Sequence, residues 1–177
     1  MQRRLLVTSI TLGLFGGAAT TALAESTPLE KQLKELESFQ VIAHRGASGH
    51  APESTMAAYE LAHEWNVDYL ELDAQITADG EVVVFHDDAI DRTSDGEGKI
   101  NDYTMEELKA LDTGSWFNEA NADKADADFA GAQILTLDEL FERFGHDARY
   151  YIETKSPQLN PGLEEALVKT LEEYDMV

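Results

Sequence analysis

The chain has 177 residues, 35 of them Asp or Glu and 13 Lys or Arg, for a formal net charge of −22 at pH 7. So acidic a chain repels nucleic acid and anionic lipid surfaces, and the lack of cysteine excludes disulfides. A hydrophobic share of 43% is ordinary for a globular domain with a buried core; acidic runs such as Glu119 to Asp128 fit a solvated surface.

Arg3 and Arg4, the apolar run Leu5 to Gly17 and Ala22-Leu23-Ala24 before Glu25 form a secretory signal peptide, removed after Ala24. The apolar run is short and broken by Thr8, Ser9 and Thr11, so a stable membrane anchor is not expected. The expected location is outside the cytoplasm, periplasmic or secreted. Residues 25–38 are a polar lead-in with a weak helical pattern, and 39–177 hold the folded domain.

Phe39 to Ala43 is a predicted strand and Gly46 to Pro52 a loop. A helix is predicted from Ser54 to Trp65, with Ala58, Leu61, Ala62 and Trp65 on one face. A strand follows at Asp68 to Asp73, a turn at Asp79-Gly80 and another strand at Val82 to His86. The short gap suits an antiparallel hairpin, but the need for Asp73 and His86 to share one rim favours a parallel pair. Asp91 to Tyr103 is loop-like. Thr104 to Glu107 and Thr136 to Glu139 are capping boxes opening short helices. The Ala/Asp/Asn stretch after Trp116-Phe117 suits a mobile insertion. A fourth strand spans Arg149 to Thr154. Asn160-Pro161 should then cap and start a helix that buries Leu163, Ala166, Leu167, Thr170, Leu171 and Tyr174. This alternation argues for an α/β fold with a mainly parallel sheet.

The strands end in ionisable groups: His44 and Arg45, Glu71 and Asp73, His86, and Glu153 and Lys155. Glu71 and Asp73 are two apart on one strand and share a face. Two crowded carboxylates repel unless neutralised, either by a hard cation with oxygen ligands, Ca²⁺ or Mg²⁺, completed by Glu153, or by pairing with Arg45 or Lys155. His44 and His86 can exchange protons near neutral pH. Arg45 and Lys155 can hold phosphate. Together these are the parts of metal-assisted phosphodiester chemistry. His63 is read as helix surface, and His50 and His146 as loop residues.

The motifs His44-Arg45-Gly46-Ala47-Ser48-Gly49, Ala51-Pro52-Glu53-Ser54-Thr55, Glu71-Leu72-Asp73, Thr77-Ala78-Asp79-Gly80, Val84-Phe85-His86-Asp87, Asp91-Arg92-Thr93 and Ile152-Glu153-Thr154-Lys155 resemble, in that order, those of the glycerophosphodiester phosphodiesterases. The resemblance implies a TIM (β/α)8 barrel that hydrolyses small-molecule glycerophosphodiesters to an alcohol and sn-glycerol 3-phosphate. It implies His44 and His86 as the acid/base pair, Arg45 and Lys155 at the phosphate, and Glu71, Asp73 and Glu153 as ligands of a divalent cation, Ca²⁺ or Mg²⁺. A glycerol hydroxyl would act as internal nucleophile, giving a cyclic phosphate that water opens. A whole barrel takes about 250 residues, so about four strands, the first half, are expected here. Ser54 stands where the family usually has Asn, and Leu135 where it often has Pro. Two rival readings are a related phospholipase acting on intact lipid, which the acidic surface disfavours, and a non-catalytic binding protein on the same scaffold.

Overall fold

The computed structural model describes residues 39–177. The leader and the lead-in segment lie outside the described residues. The elements are β1 (Ile42–Ala43), α1 (Met56–Glu64), β2 (Tyr69–Ile76), β3 (Val82–Val84), α2 (Met105–Leu108), α3 (Ser115–Ala120), β4 (Leu135–Thr136), α4 (Leu137–Phe144), β5 (Tyr150–Thr154) and α5 (Leu163–Glu173).

β2 is the central strand, and all but its first residue are buried. It pairs in parallel with β1 through Ala43–Leu70 and with β5 from Leu70–Tyr150 to Ala74–Thr154. Leu70, Leu72 and Ala74 face Tyr59, Ala62, Leu140, Phe141, Leu163 and Leu167 of the surrounding helices in one core. Glu71, Asp73 and Gln75 alternate with them and face the other way, towards the interior of the barrel wall. At about 25 cal/mol per Å² of apolar surface, the outward face stabilises this wall and leaves the inward face free to carry charge. The fold is the α/β barrel expected, present as its first part.

One expectation fails. β3 runs antiparallel to β2, with Ala74 opposite Val84 and Ile76 opposite Val82. The reason is local: only Thr77 to Glu81 join the two strands, closed by Thr77 N–H on Glu81 O at 3.0 Å and Gly80 at φ +91°, and parallel strands need a crossover of a dozen or more residues. The predicted third strand is thus an excursion, and β5 is the third strand of the parallel set, not the fourth. Excursion residues bury their own small core of Val83, Phe85, Ile90, Ile100, Leu108 and Ile134.

Both capping boxes form: Thr104 and Thr136 accept from the backbone of Glu107 and Glu139, whose carboxylates bond back. α1 buries Ala58, Tyr59 and Ala62 while Trp65 stays 52% exposed, correcting its predicted face. The helix is turned because Ala47 N–H donates to Ala58 O at 2.9 Å, bringing Gly46 so close that a Cβ there would meet the Ala58 carbonyl carbon at 2.7 Å. In the stretch expected to be a mobile insertion, Asn118 and Asp126 exchange hydrogen bonds, and Lys124 Nζ donates to Gly49 O at 2.7 Å. Asn160 does not cap α5, which starts behind Gly162 at φ +91°. Its buried side chain accepts from Ile76 N–H and donates to Lys155 O, tying the end of β2 to the loop after β5. Among the described residues no helix is long and apolar enough to cross a membrane.

Candidate active site

Because Ala74 pairs with Thr154 on one side and Val84 on the other, β1 and β3 occupy the same edge of β2. β1 covers its lower part. β2 then runs three residues past Asp73, turns, and β3 returns until Phe85 N–H donates to Asp73 O at 2.9 Å. His44 therefore leaves the sheet beside Glu71, and His86 leaves it directly after Phe85, the residue beside Asp73. The shared rim that favoured a parallel pair is reached by an antiparallel one.

Glu71, Asp73 and Glu153 offer carboxylate oxygens within 4.8 Å of one another, Asp73 and Glu153 being register partners on β2 and β5. Arg45 Nε and Lys155 Nζ stand 3.4 Å from the two Asp73 oxygens. The rim thus holds these ion pairs together with three acids close enough to share a cation. Asp73 is 1% exposed and neither of its oxygens has a hydrogen-bond partner. A buried carboxylate in that state is costly, and an oxygen-ligated divalent cation would satisfy it, with one ligand each from Glu71, Asp73 and Glu153. The donor set fits Ca²⁺ or Mg²⁺.

The surroundings move Glu71 and Glu153 in opposite directions. Burial holds the Glu71 carboxyl above the usual range against the Arg45 backbone N–H, which donates to Oε2 at 2.6 Å. The Lys155 ammonium, 2.9 Å from Oε1, holds Glu153 below it. His44 lies near the Glu71 carboxylate and His86 near that of Glu153. The two histidines flank the acids.

Arg45 sits at φ +57° and Gly46 at φ +76°, a tight turn that aims the Arg45 N–H at Glu71 and its guanidinium at Glu53, 2.9 Å away. His86 Nδ1 lies 2.5 Å from Asp87 Oδ1. Arg92 holds Asp87 and Glu53 together. Gln75, 2% exposed, donates to Phe85 O at 2.9 Å and to Asp87 O at 2.7 Å, the two carbonyls flanking His86. All seven expected site residues are therefore at one mouth. Glu53, Gln75, Asp87 and Arg92 are additions. Their signal was present: three lie in the quoted motifs, and Gln75 continues the inward alternation of Glu71 and Asp73. His50 packs edge-on against Trp65 and His63 packs tilted against Phe144, away from these acids.

The profile of the Glycerophosphoryl diester phosphodiesterase family matches residues 44–175. The chain belongs to this family. A glycerophosphodiester phosphodiesterase of Bacillus subtilis is 42% identical over 176 residues, 99% of this chain and 59% of that protein. One of Caldanaerobacter subterraneus subsp. tengcongensis is 48% identical over 76% of this chain and 53% of its own length. Among solved structures, an Oleispira antarctica phosphodiesterase in complex with the product sn-glycerol-3-phosphate is 36% identical, with a TM-score of 0.68 over 77% of this chain and 53% of that one. A glycerophosphodiester phosphodiesterase of Agrobacterium tumefaciens is 35% identical, with a TM-score of 0.66 over 78% of this chain and 54% of that one. The chain spans a little over half the length of these relatives.

Proposed function

We propose that the full-length protein hydrolyses glycerophosphodiesters to an alcohol and sn-glycerol 3-phosphate with a divalent cation, Ca²⁺ or Mg²⁺, held by Glu71, Asp73 and Glu153. The observation that carries the reading is the buried Asp73 carboxylate, without hydrogen bonds and converging with two further acids between an arginine and a lysine. When bound, the cation supplies charge neutralisation for nonbridging phosphate oxygens. Arg45 and Lys155 add donors to the same oxygens, Arg as a planar fork and Lys as a point charge. His44 and His86, one on each side of the acids, take the proton from the attacking hydroxyl and give one to the departing alcohol. Asp87 accepts from His86 Nδ1–H, which leaves Nε2 to exchange that proton. The names of the relatives and the product bound in the Oleispira antarctica structure support the substrate class.

The leader read through Ala24 would place this activity in the periplasm or outside the cell, on phosphodiesters released from membrane lipid. The acidic chain disfavours intact anionic bilayers as substrate. The test strips the full-length protein with EDTA, restores Ca²⁺ or Mg²⁺, and measures glycerol 3-phosphate released from glycerophosphocholine. Metal-dependent release is expected. No release with any divalent metal overturns the reading, and faster turnover of the diacyl lipid replaces it with the phospholipase one.

A further inference from the structure

We propose that Arg92 is a positioning residue that holds His86 and Arg45 in register, as the centre of a hydrogen-bonded chain running Arg45–Glu53–Arg92–Asp87–His86. The proposal rests on His86 and Arg45 having the roles assigned above.

Arg92 lies on neither strand that delivers these groups. It closes a short 3-10 turn, Ile90–Arg92, in the excursion. From there its guanidinium serves two carboxylates at once. Nε and Nη2 donate to Asp87 at 2.5 and 3.1 Å. Nη1 and Nη2 donate to Glu53 at 3.0 and 2.7 Å. Each carboxylate passes the contact on. Asp87 Oδ1 also meets His86 Nδ1 at 2.5 Å, and Glu53 Oε1 also meets Arg45 Nη1 at 2.9 Å. Glu53 belongs to the loop before α1 and Asp87 to the segment after β3. The contact therefore fastens the β1 loop to the excursion, the two pieces that bring His44–Arg45 and His86 to one edge of β2.

Chemically, the arrangement does two things. Asp87, kept anionic by Arg92, fixes the proton of His86 on Nδ1 and so fixes its tautomer. Glu53 turns the Arg45 fork towards the mouth. A lysine cannot do this, because one ammonium has no planar fork to present to two carboxylates. The competing description is an ornamental ion pair: the Arg92 side chain is 45% exposed, and exposed pairs contribute little to stability. That description predicts no effect on the turnover number or on the imidazole.

The experiment uses the full-length protein with saturating metal and glycerophosphocholine, and a ¹⁵N spectrum of the His86 ring recorded without substrate. Arg92→Ala is expected to lower kcat about 10- to 100-fold with a smaller change in KM, and to turn a single Nδ1–H tautomer into a mixture. Arg92→Lys should recover only part of kcat, and it also decides the matter if Arg92→Ala does not fold. A wild-type kcat with an unchanged tautomer in either variant overturns the proposal. So does full recovery in Arg92→Lys, which would make Arg92 a charge without a geometric role. If the wild-type protein releases no glycerol 3-phosphate, the functional reading falls, while the tautomer still decides for or against Arg92.

Discussion

Asp73 and Glu153 are register partners across β2 and β5, and with Glu71 their carboxylates close to within 4.8 Å. Two segments far apart in the chain thus deliver like charges to one point. Arg45 and Lys155 offset part of the repulsion from 3.4 Å, but neither contact has full hydrogen-bond geometry at Asp73. The buried acids are therefore incompletely satisfied as they stand, and the proposed cation would satisfy them.

Asp73→Asn should abolish the response of the protein to metal. A ligand that binds only the folded state stabilises it by about 2.7 kcal/mol at a hundredfold excess over Kd. Ca²⁺ or Mg²⁺ should raise the Tm of the EDTA-treated wild type and leave that of Asp73→Asn unmoved. Equal shifts in both proteins would remove Asp73 from the ligand set.

Gln75→Met should loosen the His86 segment. The substitution keeps the bulk but deletes both donors, leaving Phe85 O and Asp87 O without them at a cost of about 1–3 kcal/mol. The denaturant midpoint should fall, kcat should fall with it, and amide exchange should quicken around residues 85–88. An unchanged midpoint together with an unchanged kcat would make the clamp irrelevant.

The ionisable strand ends, both capping boxes and the parallel pairing of the outer strands were readable from the sequence, because each depends on short spacings or on a sustained apolar run. The direction of β3 was not. Val82 to Val84 shows a buried strand but not its partner, and the decisive clue, a connection too short for a crossover, was outweighed by the requirement for a common rim. Asn160 departs from its expected role for a related reason. Asn before Pro is a good helix start in isolation, but here its amide is committed to Ile76 and Lys155, contacts that exist only once β2 and β5 are paired. The network from Arg45 to His86 was invisible because Glu53 and Arg92 meet only across the folded loops.

Acid titration should expose the Asp87 contribution. Its hydrogen bond from Arg92 holds the carboxyl at about 2, against 3.8 when free. Between those values the unfolded chain binds the proton more readily, so stability rises with pH through the window. The contribution is fully present above pH 3.8 and is lost as the pH falls towards 2; after solvent screening it is of the order of 1 kcal/mol. Urea denaturation at stepped pH should show the gap between wild type and Asp87→Asn narrowing from pH 4 to pH 2. A gap that stays constant over that range would show that Asp87 is not paired this way in solution.

Ser54→Asn should stabilise the protein. Ser54 sits at φ +58°, in the left-handed region where Asn is several-fold enriched over most other residues. Its hydroxyl lies buried beside that of Tyr59, and neither has a hydrogen bond of good geometry, so serine leaves both groups poorly satisfied. The family's usual asparagine suits this backbone and carries both a donor and an acceptor. Because Ser54 N–H donates to Arg45 O at 3.1 Å, a firmer turn here also steadies the loop that presents Arg45. A rise in Tm of a few degrees is expected, equivalent to about 1 kcal/mol, with KM unchanged or lower. A drop in Tm would mean that the pocket around Ser54 has closed on the smaller side chain and cannot admit the amide.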